Sequence, residues 1–113
     1  MGTYNSINAY QTMWLFVFFD LPVDDHKHRH DATRFRADLL EDGFEMLQFS
    51  VYVRHCPSRE NADVHIKRIR EQVPPDGKVS ILAVTDRQYG EIVNVWHVPE
   101  VPPKAGEQLE LLM

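Results

Sequence analysis

One carboxylate, three alternating histidines, one thiol and two groups of basic residues carry the chemistry open to this chain. Asp20 stands first, because it ends the unbroken apolar run Met13-Trp14-Leu15-Phe16-Val17-Phe18-Phe19. An aspartate where a strand leaves a sheet serves as a cap or loop carboxylate, or as a ligand for a hard cation. Mg2+ commonly takes one or two protein carboxylates and completes its shell with water and phosphate oxygens. His26, His28 and His30 alternate with Lys27 and Arg29. Alternate positions point about 200° apart on a helix, so the three cannot share one metal face. His26 and His30 can, being four apart, but a solvated basic helix start is the simpler reading. Cys56 has no C-x-x-C partner, and its neighbour His55 points to the opposite face of a strand, which argues against a Cys–His nucleophile. No zinc spacing, phosphate loop or dinucleotide glycine pattern is present.

The basic residues form two clusters, Lys27, Arg29, Arg34 and Arg36, then Arg54, Arg59, Lys67, Arg68 and Arg70. The whole chain carries a formal charge of −5, which by itself speaks against a nucleic-acid binder. The stretch Pro99 to Met113, with three Glu and one Lys, accounts for part of that excess. Arg29, Arg34, Arg36, Arg54, Lys67 and Arg68 are the candidate contacts to a phosphate backbone, a kind of contact that needs no base reading. The plain alternative is a solvated helix surface.

The elements that must position these groups follow from pattern. The 113 residues suffice for one domain and one core. Residues 1–12 read as a polar leader, 13–98 as the domain and 99–113 as an extended acidic tail. Met13 to Asp20 is of strand length and too short for a membrane span. Asp24 or Asp25 caps a helix from about His26 to Glu41, with Ala32, Phe35, Leu39 and Leu40 as its apolar stripe and Asp42-Gly43 as its end. Arg34 and Asp38 are placed to pair across one turn. Phe44 to Cys56 is too long for one strand, so a tight hairpin near Gln48 and Phe49 is expected. Ser58 caps a second helix with its stripe at Ala62, Ile66, Ile69 and Val73, stopped by Pro74-Pro75. Lys78 to Thr85 is a strand, Asp86 to Gly90 a turn, and Glu91 to Val98 a last strand. The lone cysteine and the absence of a secretion signal in Met1 to Gln11 fit a reducing cytoplasm, with no membrane association.

The order β-α-β-β-α-β plus one strand is the ferredoxin-like split βαβ plan of the α+β class, with both helices on one sheet face. The first strand is nevertheless apolar on both sides. Trp14, Phe16 and Phe18 share one face and Leu15, Val17 and Phe19 the other. One set packs on the helices, and the other needs a cover that one chain does not supply. A two-fold homodimer is the economical solution; the alternative is a tail folded back over the sheet. In a dimer with facing first strands, two copies of Asp20 meet near the axis.

Several stretches then occur in a telling order: Phe18-Phe19-Asp20-Leu21-Pro22, Met46-Leu47-Gln48-Phe49-Ser50-Val51-Tyr52, Pro74-Pro75-Asp76-Gly77 and Val84-Thr85-Asp86-Arg87-Gln88-Tyr89. Together they resemble the second universal CRISPR-associated protein family (Cas-two), most closely its type II members, over Met13 to about Trp96. The resemblance implies a ferredoxin-like homodimer, with Asp20 binding Mg2+ near the axis and metal-dependent phosphodiesterase (endonuclease) activity on single-stranded RNA or on DNA. It also implies a role in spacer acquisition, bridging the partner integrase (Cas-one) on a double-stranded DNA protospacer. The alternative within the family is a non-catalytic DNA-binding scaffold for that integrase. Arg34 is similar to a helix arginine of nuclease members, and Ser50 and Tyr52 match the Ser-Val-aromatic motif. The family's last strand often crosses to the partner's sheet, which suits Glu91 to Val98. Phe19 departs from the pattern, standing where many nuclease members carry Tyr.

Overall fold

The computed structural model describes residues 11–97, so most of the expected leader, Val98 and the acidic tail lie outside the described residues. Four strands and two long helices form: β1 (Met13–Asp20), α1 (His26–Glu41), β2 (Glu45–Gln48), β3 (Val51–Cys56), α2 (Arg59–Gln72) and β4 (Lys78–Thr85). A short helix, α3 (Asp86–Gly90), follows. The sheet is antiparallel in the order β2-β3-β1-β4. This is the expected ferredoxin-like α+β arrangement. No helix among the described residues is long and apolar enough to cross a membrane.

Both helices begin at the expected caps. Asp25 accepts from the His28 N–H and Ser58 from the Asn61 N–H, each satisfying a donor that the helix itself leaves unpaired. Leaving α1, Gly43 takes φ +87°, where an L side chain is strained. The hairpin turns through Phe49 and Ser50, with Ser50 at φ 69°.

The core lies between one sheet face and the two helices. Leu15, Val17 and Phe19 of β1 meet Phe35 and Leu39 of α1, Ala62 and Ile69 of α2, and Phe44 and Tyr52. Leu40, expected in that stripe, is instead exposed. It sits one residue, about 100°, past Leu39 and so off the stripe that Ala32, Phe35 and Leu39 define. Cys56 is fully buried, and burial pushes its thiol pKa up, which removes it as a nucleophile. His55 is exposed, as strand alternation requires.

The opposite face of β1 differs from expectation. At one end the chain covers it after all. Trp14 stacks on Tyr89 of α3 with ring centroids 3.7 Å apart, and its Nε1 donates to Asp86 at 2.8 Å. Asp86 to Gly90, expected as a turn, is thus a helix closed by a Thr85/Gln88 capping box. Beyond it an apolar groove of about 350 Å3 stays open, lined by Phe16, Phe18, Leu47, Val51, Leu82 and Ile92 among others. Phe18 is 39% exposed and Leu82 51%. The expected last strand is the second difference. Residues 91–97 form no strand, and Val93, Val95 and Trp96 stand exposed. A strand needs a ladder partner, and among the described residues this segment has none.

A polar network joins the ends of the helical layer. His65 is buried, and its Nδ1 lies 2.7 Å from Asp42 Oδ2. Its Nε2 accepts from Arg54 Nε at 3.0 Å, which puts the ring proton on Nδ1. Arg68 donates to the other Asp42 oxygen at 2.7 Å. Asp42 therefore serves two groups at once, while Arg68 remains half exposed. Asp42→Ala should lower the free energy of unfolding by about 2–3 kcal/mol by leaving His65 buried without its partner. Arg68→Ala should cost less than about 1 kcal/mol, because its pairing is screened. Urea denaturation of the two variants against wild type measures both losses.

Candidate functional site

Asp20 is the last residue of the central strand and is exposed. Its register partner on β4 is Lys78. On its other flank the hairpin tip closes in, where the Phe19 N–H donates to the Ser50 carbonyl at 3.1 Å. These three segments frame an open depression of about 360 Å3 lined by Phe18, Phe19, Asp20, Ser50, Val51, Lys78 and Ser80. Asp20 makes no ion pair there among the described residues. Lys78 is a residue that sequence reasoning missed. Only the β1–β4 register brings it to Asp20, and no local pattern marks it.

The oxygen donors at hand, the Asp20 carboxylate with the Ser50 and Ser80 hydroxyls, have the chemistry a hard divalent cation takes. The charge is thin, however. One carboxylate stands beside one ammonium. A second copy of Asp20 would supply the missing negative charge. Another group of candidate ligands, Asp24, Asp25 and His28, has atoms within 4.8 Å of one another. Its donors are already committed: His28 Nδ1 lies 2.6 Å from Asp24, and Asp25 caps α1. His26 and His30 join no cluster of three such groups among the described residues.

The other expected residues are scattered. Arg34 is exposed in a different depression, with Phe35, Asp38, Glu71 and Pro74, and does not line the one that holds Asp20. The expected Arg34–Asp38 ion pair does not form. Arg36 is the α1 arginine that leans toward the hairpin, with its guanidinium 4.5 Å from the Phe49 ring centroid and 5.4 Å from that of Phe19. Positions two apart point about 200° from each other on a helix, so Arg34 and Arg36 cannot serve one site. Arg29 donates to the Val23 carbonyl at 3.4 Å. Arg54 and Arg68 belong to the Asp42 network, and Lys67 is exposed. Tyr52 is a core residue packed against Phe19, whereas Ser50 reaches the depression.

His28 fastens the segments on either side of the Asp20–Lys78 pair. Its Nε2 lies 3.2 Å from Asp76, in the turn before Lys78, while Nδ1 holds Asp24, in the loop after Asp20. In the same region Gly77 packs so closely on Leu21 that a Cβ there would strike the leucine. Hydrogen bonds that His28 donates to Asp24 and then to Asp76 raise the His28 pKa, and the bond accepted from His28 lowers that of Asp24.

Comparison with known proteins gives a consistent result. Residues 13–92 match the family model described as CRISPR associated protein Cas2. A protein of Flavobacterium psychrophilum is 47% identical over 96% of this chain and 95% of its own length. One of Parvibaculum lavamentivorans is 56% identical over 88% of this chain and 99% of its own. Both are named CRISPR-associated endoribonuclease Cas2. A solved structure described as a crystal structure of Cas2 aligns with a TM-score of 0.56 at 19% identity, covering 82% of this chain and 95% of that one, and supports the fold.

The His28 clamp has a definite pH signature. A raised pKa means that the imidazolium's contribution is fully present below its ordinary value of 6.5 and is lost as pH rises through the folded value. Asp24, lowered from 3.8, contributes above that value and loses its contribution as pH falls through its folded pKa. The stability difference between wild type and His28→Ala should therefore be largest between these limits and shrink in alkaline buffer. Thermal melts of the two proteins across pH measure it.

Proposed function

The chain belongs to the CRISPR-associated Cas2 family, and from that premise we propose that it is a Mg2+-dependent endonuclease that works as a homodimer in spacer acquisition. The observation that carries the reading is the exposed Asp20, without an ion pair among the described residues, at the end of a central strand whose outer face stays open. Two chains joined over that groove bury Phe18 and Leu82 and bring two Asp20 carboxylates toward one axis. The apolar segment 91–97 then finds a ladder on the partner's sheet, as strand addition allows. The names of the relatives favour RNA as the cleaved strand.

The two Asp20 carboxylates would hold the cation, which supplies an activated water and charge neutralisation for phosphodiester attack. Lys78 lies where it can bind a phosphate oxygen, and Arg36 stands nearer this end of the molecule than the Arg34 expected to do so. Arg29, Arg34 and Lys67, exposed on the helices, track a nucleic-acid backbone. In the same reading the dimer bridges the integrase on double-stranded protospacer DNA, in the reducing cytoplasm that suits a free Cys56.

A specific observation favours the second reading, a scaffold without nuclease activity: the depression holds one carboxylate per chain and a lysine. Cleavage of RNA and DNA with Mg2+ by wild type and Asp20→Ala separates the two. The nuclease reading expects the variant to lose about 100-fold or more in rate while keeping the assembly state of wild type. Equal cleavage by both proteins refutes it, and spacer integration undiminished in Asp20→Ala would leave the scaffold role standing.

A further inference from the structure

Phe49 has no role in the core, the groove or the Asp20 depression, yet it is held in a defined position. It is 76% exposed at the tip of the β2–β3 hairpin and lines neither the apolar groove nor the Asp20 depression. The tip itself is pinned, because Ser50 takes the left-handed backbone conformation and its carbonyl is bonded by the Phe19 N–H. The Arg36 guanidinium lies over the ring, 4.5 Å from its centroid. That cation makes no ion pair among the described residues, and its Nε is shut from solvent with no hydrogen-bond partner. The cation–π contact holds the ring in place, but at an exposed site such a contact is weak, and it leaves most of the large aromatic surface of Phe49 in water.

We propose that Phe49 is a stacking platform for an unpaired nucleobase, held by Arg36 and the hairpin turn beside the Asp20 depression. The proposal rests on the nucleic-acid reading above and specifies which form of strand the site takes. Three features favour a base over an apolar protein surface. The ring is a single aromatic face between Gln48 and Ser50 and does not line the groove of Phe16, Phe18 and Leu82 that suits a second copy, although Gln48 beside it does. An arginine packed on a ring adds a positive charge beside the platform, where a nucleotide brings its phosphate. Ser50 belongs to both the turn and the Asp20 depression, so a base on Phe49 directs its backbone toward the candidate metal ligand. A duplex offers no free base face except at its ends, so the platform selects single strands, loops or frayed termini.

The test is binding without cleavage, in EDTA, using the full chain and two short DNA single strands of equal length, one carrying bases and one fully abasic. Wild type should prefer the base-bearing strand by about tenfold. Phe49→Ala should lose that preference while binding the abasic strand as wild type does, and Phe49→Trp should retain it. Equal affinity of wild type for the two strands overturns the platform, as does a preference that survives in Phe49→Ala. A drop in solution mass for Phe49→Ala also overturns it, because the ring would then be buried between copies. Failure of wild type to bind either strand, both in EDTA and with Ca2+ in place of Mg2+, would sink the nucleic-acid reading itself, a result distinct from strand binding without base preference.

Discussion

The structure depends on one constraint: β1 is a central strand with apolar side chains on both faces. Hydrogen bonds to β3 and β4 occupy its two edges, so it cannot twist aside to hide either set. Leu15, Val17 and Phe19 are satisfied by the helices, and full burial of each such side chain stabilises the fold by roughly 1.5–3 kcal/mol. Trp14, Phe16 and Phe18 are not served equally. Tyr89 stacks on Trp14 and reaches the edge of Phe16, but the surface around Phe18 and Leu82 stays wet. The short helix α3 is a partial solution, and the open groove next to it is what remains for another surface to cover.

The chemistry inherits this arrangement. A carboxylate on a loop would be mobile, whereas Asp20 continues a strand paired on both sides and is bracketed by the Ser50 turn and by Lys78. The loop that follows is fastened by His28 to the turn before β4 and seated by Leu21 on Gly77. The site is therefore rigid but underequipped, with one acidic group and one cation. Joining two chains along the open face is the economical way to double the charge without changing the fold, so assembly and catalysis become a single question.

Much of this was legible from residue order. Helix limits follow from local signals, the caps at Asp25 and Ser58, the left-handed Gly43 and the stop at Pro74, and these act within a few residues of the boundary they set. A hairpin follows from a run too long for one strand, and it turns through Phe49 and Ser50, one residue past the expected Gln48 and Phe49. What escaped were pairings between distant positions. His65 reads as a polar residue beside an apolar stripe, and it is buried because Asp42 and Arg54 fold onto it. Lys78 reaches Asp20 only through strand register. Arg34 drew attention as a helix arginine, yet the angular offset of two residues turns it away from the site and brings Arg36 to the hairpin. The segment 91–97 has the composition of a strand but no partner among the described residues, and composition does not say where a partner lies.

The most direct test of the central claim is the solution mass of the full chain at micromolar concentration, for wild type and for Leu82→Glu, which places a charge in the open groove. Wild type should show twice the mass of one chain, and a folded Leu82→Glu the mass of a single chain. A wild-type protein that sediments as one chain, or a Leu82→Glu protein that remains doubled, would contradict it.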